Sequence, residues 1–139
     1  MASFVKYEVF SENLSEKVHD LNADTLKVML SNTAPNVATH EVRADATEIS
    51  AGNGYTSGGT DTQNATSRSG GTTSITGVDI TFTASSGTIG PFRYAILYND
   101  TPTSPADPLI GYWDYGSAIT LNDTETFTVD FGSSMFTVA

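Results

Sequence analysis

The chain has 139 residues, a formal charge of −10 at neutral pH, no cysteine and only six basic residues. One domain fits this length, and a chain of this size buries roughly 65–70% of its unfolded surface without a metal or disulfide. The acidic balance and scattered Lys and Arg argue against nucleic acid or an anionic membrane as partner, and the lack of cysteine removes disulfides and thiolate zinc sites.

Tyr7, Phe10, Leu14, Val18 and Leu21 recur at three- and four-residue spacing. This predicts an N-terminal amphipathic helix, with residues 1–23 forming an arm and helix ahead of a single β domain at 24–139. The helix either seals one end of the β core or, through Phe4 and Tyr7, grips a neighbouring molecule. No basic stretch followed by an apolar run opens the sequence, and no apolar run is long enough to cross a bilayer. The expectation is therefore a soluble protein made in a cytoplasm.

Thr25–Ser31 reads as a strand with Leu26, Val28 and Leu30 inward and Lys27 outward. Residues 32–50 are irregular, with room for one short helical turn. Residues 51–59, AGNGYTSGG, form a turn region; no strand–loop–Lys–helix context makes it a phosphate cradle. Thr60–Ser69 is a polar edge strand, exposing Thr62 and Arg68 to a partner. Val78, Ile80, Phe82 and Ala84 alternate with polar residues and predict a half-buried strand over 74–84.

Residues 90–116 carry the only Trp and four of the six Tyr. Phe92, Tyr94, Ile96 and Tyr98 share one parity, and Leu109, Gly111, Trp113 and Tyr115 another, which predicts two aromatic strands at the centre of a sheet. Between them, Pro102, Pro105 and Pro108 make a stiff exposed loop. Thr126–Phe131 and the segment around Met135, Phe136 and Val138 complete about seven or eight short strands. That spacing predicts an all-β, two-sheet antiparallel sandwich of jelly-roll type, with an immunoglobulin-like sandwich as the alternative. The expected core is Leu26, Val28, Leu30, Ile80, Phe82, Tyr94, Ile96, Leu109, Trp113, Phe127, Val129 and Phe131.

Catalytic chemistry finds little support. His19 on the polar side of the helix and His40 in a charged loop both read as solvated, and two histidines do not build a His-rich metal site. No activated nucleophile is patterned, so an enzyme is not expected. Asp79, Asp114, Glu125 and Asp130 sit at outward strand positions. Asp114 is the acid a two-carboxylate glycosidase would use, yet adjacent strand residues face apart, so it does not share a site with Trp113; Tyr112 does share its face. Loop acids Asp100, Asp107 and Asp123 lack a calcium-loop spacing, and no cofactor is expected. A carbohydrate-binding module using Tyr112, Trp113 or Tyr115 is the alternative function.

Several stretches together resemble a family of small tailed-bacteriophage virion proteins: DTLKVMLSNTAP (24–35), ATEISAGNGYTSGG (46–59), IGPFRYAILYNDTPTSPADPLIGYWDYG (89–116) and ITLNDTETFTVDF (119–131). The resemblance covers most of the chain and is weakest over 36–45 and 60–77. It implies a head decoration, or cement, protein on the outer surface of the capsid, synthesised in the host cytoplasm. Such a protein ties major capsid subunits together by adhesion, as a homodimer or a trimer. The residues expected to contact the shell are Phe4, Tyr7, Thr62, Arg68, Thr103, Pro105 and Tyr112.

Overall fold

The computed structural model describes residues 3–139. The described residues are all-β apart from one short helix and one 3-10 turn, and the sheets are antiparallel. In chain order the elements are β1 (Phe4–Lys6), α1 (Val9–Ser15), β2 (Leu26–Ser31), β3 (Thr60–Asp61), β4 (Ala65–Ser69), β5 (Thr72–Thr76), β6 (Ile80–Thr83), β7 (Ile89–Asn99), β8 (Leu109–Leu121), β9 (Thr126–Val129) and β10 (Phe136–Val138), with the 3-10 turn at Arg43–Asp45. The main sheet has the order β1-β8-β7-β2-β3. Opposite it lie a three-stranded sheet, β10-β5-β4, and a two-stranded one, β6-β9.

The layers meet in one apolar core. Leu26, Val28, Leu30, Phe92, Leu97 and Ile110 of the main sheet pack with Ile75, Ile80, Phe82, Val129 and Phe136 of the opposing strands. This is the sandwich expected from the strand spacing. A second, smaller cluster of Tyr7, Met29, Tyr94, Ile96, Tyr98 and Leu109 fills the other face of the main sheet, under Val37 and Ala46 of the long β2–β3 connection. Both faces of β2 and β7 are thus covered, which explains why these strands are nearly continuously apolar.

The N-terminal helix is much shorter than its periodicity predicts. Phe4–Lys6 is a strand instead, registered on β8 with Phe4 opposite Trp113 and Lys6 opposite Gly111. Gly111 permits this, because a Cβ there would collide with the Phe4 ring. After α1, Lys17 adopts a left-handed φ of 66°. Val18 N–H then bonds Asn13 C=O at 2.9 Å and Lys17 N–H bonds Leu14 C=O at 3.3 Å, a Schellman ending that leaves Val18 and Leu21 outside the helix. Phe10 belongs to the main core, so α1 packs against the β sandwich.

Two predicted strands divide. Thr60–Ser69 breaks into β3 and β4, which belong to different sheets. Gln63 turns the chain with φ 52°, and the Asn64 amide secures the crossing by donating to Leu21 C=O and Asp24 C=O at 2.8 and 3.0 Å. Residues 74–84 divide at Gly77, whose Hα side faces Met135 and Phe131 with no room for a Cβ. Val78, expected inward, is 54% exposed beyond that break.

The parity of the aromatic hairpin also changes along its length. Register shifts lie between Leu97 and Tyr98 and between Phe92 and Tyr94. The first slips Ile110 into the main core while Leu109 faces the second cluster. The second puts Phe92 on the same face as Ala95 and Leu97, and Tyr94 on the opposite one. The two aromatic rows predicted from strict alternation are therefore each split by a bulge.

Candidate functional site: an aromatic cleft where the hairpin opens

From Tyr94–Asp114 to Leu97–Gly111 the β7–β8 register is unbroken, but the next pair outward is Phe92–Ile119. Residues Tyr115 to Ala118 of β8 are therefore surplus to the ladder and swing outward, with Gly116 at φ 102° in the middle. The swing leaves a cleft of about 320 Å³ between β7, β8 and β9. Its walls are Phe92, Tyr94, Ala95, Trp113, Tyr115, Phe127 and Val129, and its polar groups are Arg93, Thr128 and Asp130.

The aromatic walls brace each other edge to face. Phe92 and Phe127 lie 5.0 Å apart at 69°, and Tyr115 and Phe127 5.7 Å apart at 75°. Trp113 leans on Phe131 at 5.6 Å and meets Phe4 at 5.3 Å. Such contacts fix ring orientation. Tyr115 is nonetheless 58% exposed, so its ring presents apolar surface to solvent.

Polar geometry at the rim is equally fixed. Arg93 donates from Nε to Asp114 Oδ1 at 2.8 Å and from Nη2 to Oδ2 at 3.1 Å. Gly116 N–H also donates to Asp114 Oδ1 at 2.8 Å, tying the swung-out segment to the ion pair. These hydrogen bonds, that from Arg93 foremost, hold the Asp114 carboxyl below the usual carboxylate range, and they raise the guanidinium in turn. Asp114 is thus a fixed anion at neutral pH rather than a proton donor. As the strand geometry required, Trp113 lines the cleft and Asp114 does not; Asp114 contributes only by holding Arg93. Asp130 accepts from Gly132 N–H through Oδ1 at 2.9 Å. Thr128 and Thr81 share a hydrogen bond between their hydroxyls at 3.1 Å.

The residues expected as partner contacts do not gather in one place. Phe4 and Tyr112 lie on neighbouring strands, with Phe4 stacked on Phe136 at 4.9 Å and Tyr112 edge-on to Tyr7 at 5.9 Å and Tyr94 at 6.0 Å. Tyr7 and Thr62 are fully buried. Neither presents a side chain to a partner in this conformation, because Tyr7 caps the second cluster and Thr62 N–H bonds Leu26 C=O where the chain changes sheets. Arg68 stands on the exposed β4 edge and reaches back to Gly70 C=O at 2.8 Å. Thr103 and Pro105 are exposed in the β7–β8 loop, where Thr103 bridges Ala106.

His19 is not solvated as its helical position suggests; it is 6% exposed and lies 5.2 Å from the Phe10 ring. Asn99 directs one Nδ2 hydrogen to His19 Nδ1 at 3.0 Å and the other to Asp24 Oδ2 at 2.8 Å. Nδ1 is therefore an acceptor and the ring proton sits on Nε2, which has no partner among the described residues. Burial lowers the His19 pKa to about 4, against a smaller opposing pull from Asp24. Asp79 and Glu125, read as solubilising acids, accept backbone N–H bonds from Phe131 at 2.9 Å and Asn122 at 2.7 Å. Asp100 pairs with Lys27 at 3.2 Å, and Asp123 accepts from Ser86 N–H at 2.9 Å. Among the described residues, no three His, Asp or Glu side chains are gathered as a metal site.

Sequence reasoning missed Arg93, Phe127 and Asp130 as neighbours of Trp113 and Tyr115. The one local signal was Gly116, a glycine interrupting an otherwise regular strand pattern. No family model, curated protein or solved structure matches the chain.

Proposed function

We propose that the chain is a structural virion protein that decorates the outside of a tailed-bacteriophage capsid and stabilises it by bridging major capsid subunits, acting as a homodimer. The observation that carries this reading is β4, a polar five-residue strand at the edge of its sheet, exposed along most of its length. An open edge offers backbone N–H and C=O groups to a strand of another chain, and Arg68 on it supplies a positive contact in an acidic molecule. The net charge of −10 suits a surface kept soluble and away from packaged DNA.

The strand pairs β5·β10, β6·β9 and β7·β8 are nested one inside the next. A long antiparallel ribbon rolled into two layers has this nesting, which supports assigning the sandwich to the jelly-roll type. Shell bridging needs only a rigid body with repeated modest contacts, since many copies on one particle act together. The test compares virions with and without the protein. Particles lacking it should release DNA at lower temperature, and Arg68→Glu on β4 should reduce occupancy on expanded shells. Equal heat stability of the two particles rejects the role; unaltered occupancy with the charge reversed rejects the β4 contact.

A further inference from the structure

We propose that the cleft between β7, β8 and β9 is a binding site for a neutral pyranoside, one or two units of an uncharged glycan. At about 320 Å³ the cleft falls at the small end of ligand pockets, the size of one or two sugar rings and short of an extended chain. A pyranose has an apolar face of C–H groups and a perimeter of hydroxyls. The C–H face matches the negatively charged face of an aromatic ring, and Tyr115 offers one, 58% exposed and held edge-on by Phe127. Trp113 on the same wall provides a second aromatic surface.

The hydroxyl perimeter finds an acceptor at the rim. Asp130 lines the cleft, uses Oδ1 on Gly132 N–H and keeps Oδ2 as an acceptor. Arg93 also lines the cleft, but its guanidinium turns to Asp114 and lies 5.4 Å over the Tyr94 ring, on the face of the sheet away from Trp113. Asp130 is held by one bond before any ligand arrives, so little ordering cost attends binding.

Charge selects among sugars. The guanidinium of Arg93 is neutralised by Asp114, Asp130 adds a negative charge to the cleft, and the whole chain carries −10. Sialylated, sulfated or phosphorylated glycans are therefore repelled, and uncharged ones are not. This inference does not depend on the capsid role.

Trp113 is the sole tryptophan and lines the cleft, so its emission reports occupancy directly. The experiment titrates the whole chain at neutral pH with oligosaccharides of glucose, galactose, mannose and N-acetylglucosamine, to roughly 10 mM. Sialic-acid-terminated oligosaccharides and an apolar peptide form the comparison arms. At least one neutral saccharide should change Trp113 emission saturably. Tyr115→Ala should weaken that binding at least tenfold with the melting temperature unchanged, and Asp130→Asn should weaken it by a smaller factor. No response to any neutral saccharide overturns the proposal. So does tighter binding of the sialylated arm or the peptide, or undiminished affinity in the Tyr115→Ala protein.

Discussion

The two halves of the β7–β8 hairpin hold their aromatic residues in opposite ways. Toward the connecting loop, Tyr98 is sealed: its hydroxyl donates to Gly58 C=O at 2.6 Å and Arg43 lies 5.5 Å above its ring. Arg43 is anchored in turn by Glu48 at 2.7 Å. Glu48 also accepts from the Tyr55 hydroxyl and from Gly58 N–H, both at 2.6 Å. The Tyr55 hydroxyl itself accepts from Leu30 N–H at 3.0 Å, in the main sheet. At the far half the ladder parts, and Trp113, Tyr115 and Phe127 are left around an open cleft. Both halves have a carboxylate that collects donors, and the comparison teaches that its position decides the outcome. Glu48 gathers groups from a loop laid over Tyr98, whereas Asp114 gathers Arg93 and Gly116 N–H beside the cleft and leaves the aromatics there uncovered.

Removing the collector should have the largest effect. Glu48→Ala leaves Arg43, the Tyr55 hydroxyl and Gly58 N–H without their acceptor, and should cost about 3 kcal/mol, read as a lowered denaturation midpoint. Tyr98 should then quench more readily while the cleft is unchanged. Burial alone would raise Glu48, but its hydrogen bonds from Tyr55, Arg43 and Gly58 outweigh burial and hold it below the usual carboxylate range. Its stabilisation is accordingly present at neutral pH and is lost as pH falls through its lowered folded pKa.

His19 provides the next contrast, at the sealed end beside Asn99. Its folded pKa of about 4 lies below the ordinary value of 6.5. The unfolded chain therefore binds a proton that the folded chain refuses, and stability should fall by roughly 2–3 kcal/mol as pH drops from about 6.5 to 4. Urea titrations across that window should show the decline, and His19→Gln should flatten it while leaving the Glu48 loss at lower pH.

The smallest effect is expected at the open half. Tyr115→Ala should change unfolding free energy by no more than about 0.5 kcal/mol, because a largely exposed ring contributes little to the core. A large destabilisation would make Tyr115 part of the packing and erase the contrast between the two halves.

Much of this was legible in the residues. Alternation placed β2, β6, β9 and both hairpin strands, although β2 and β7 are buried on both faces and bulges break the period within the hairpin. The helix failed because the spacing from Tyr7 to Leu21 satisfies a helix but does not exclude a strand before it and a Schellman turn after it. His19 failed for a related reason: its environment is set by Asn99, 80 positions away. The cleft was half legible. Trp113 and Tyr115 stood out as aromatics, but their neighbours depend on a bulge that shifts the register by residues no periodicity marks. Glu48 lies in the irregular segment 32–50, and only the fold brings Arg43, Tyr55 and Gly58 around it.

The stacked rings of Phe4 and Phe136 join positions near opposite extremities of the sequence, 4.9 Å apart. Phe4 comes from the main sheet and Phe136 from the three-stranded one, so this single stack rivets the two layers together at one corner. Trimming either ring to alanine would let both edge strands fray at once.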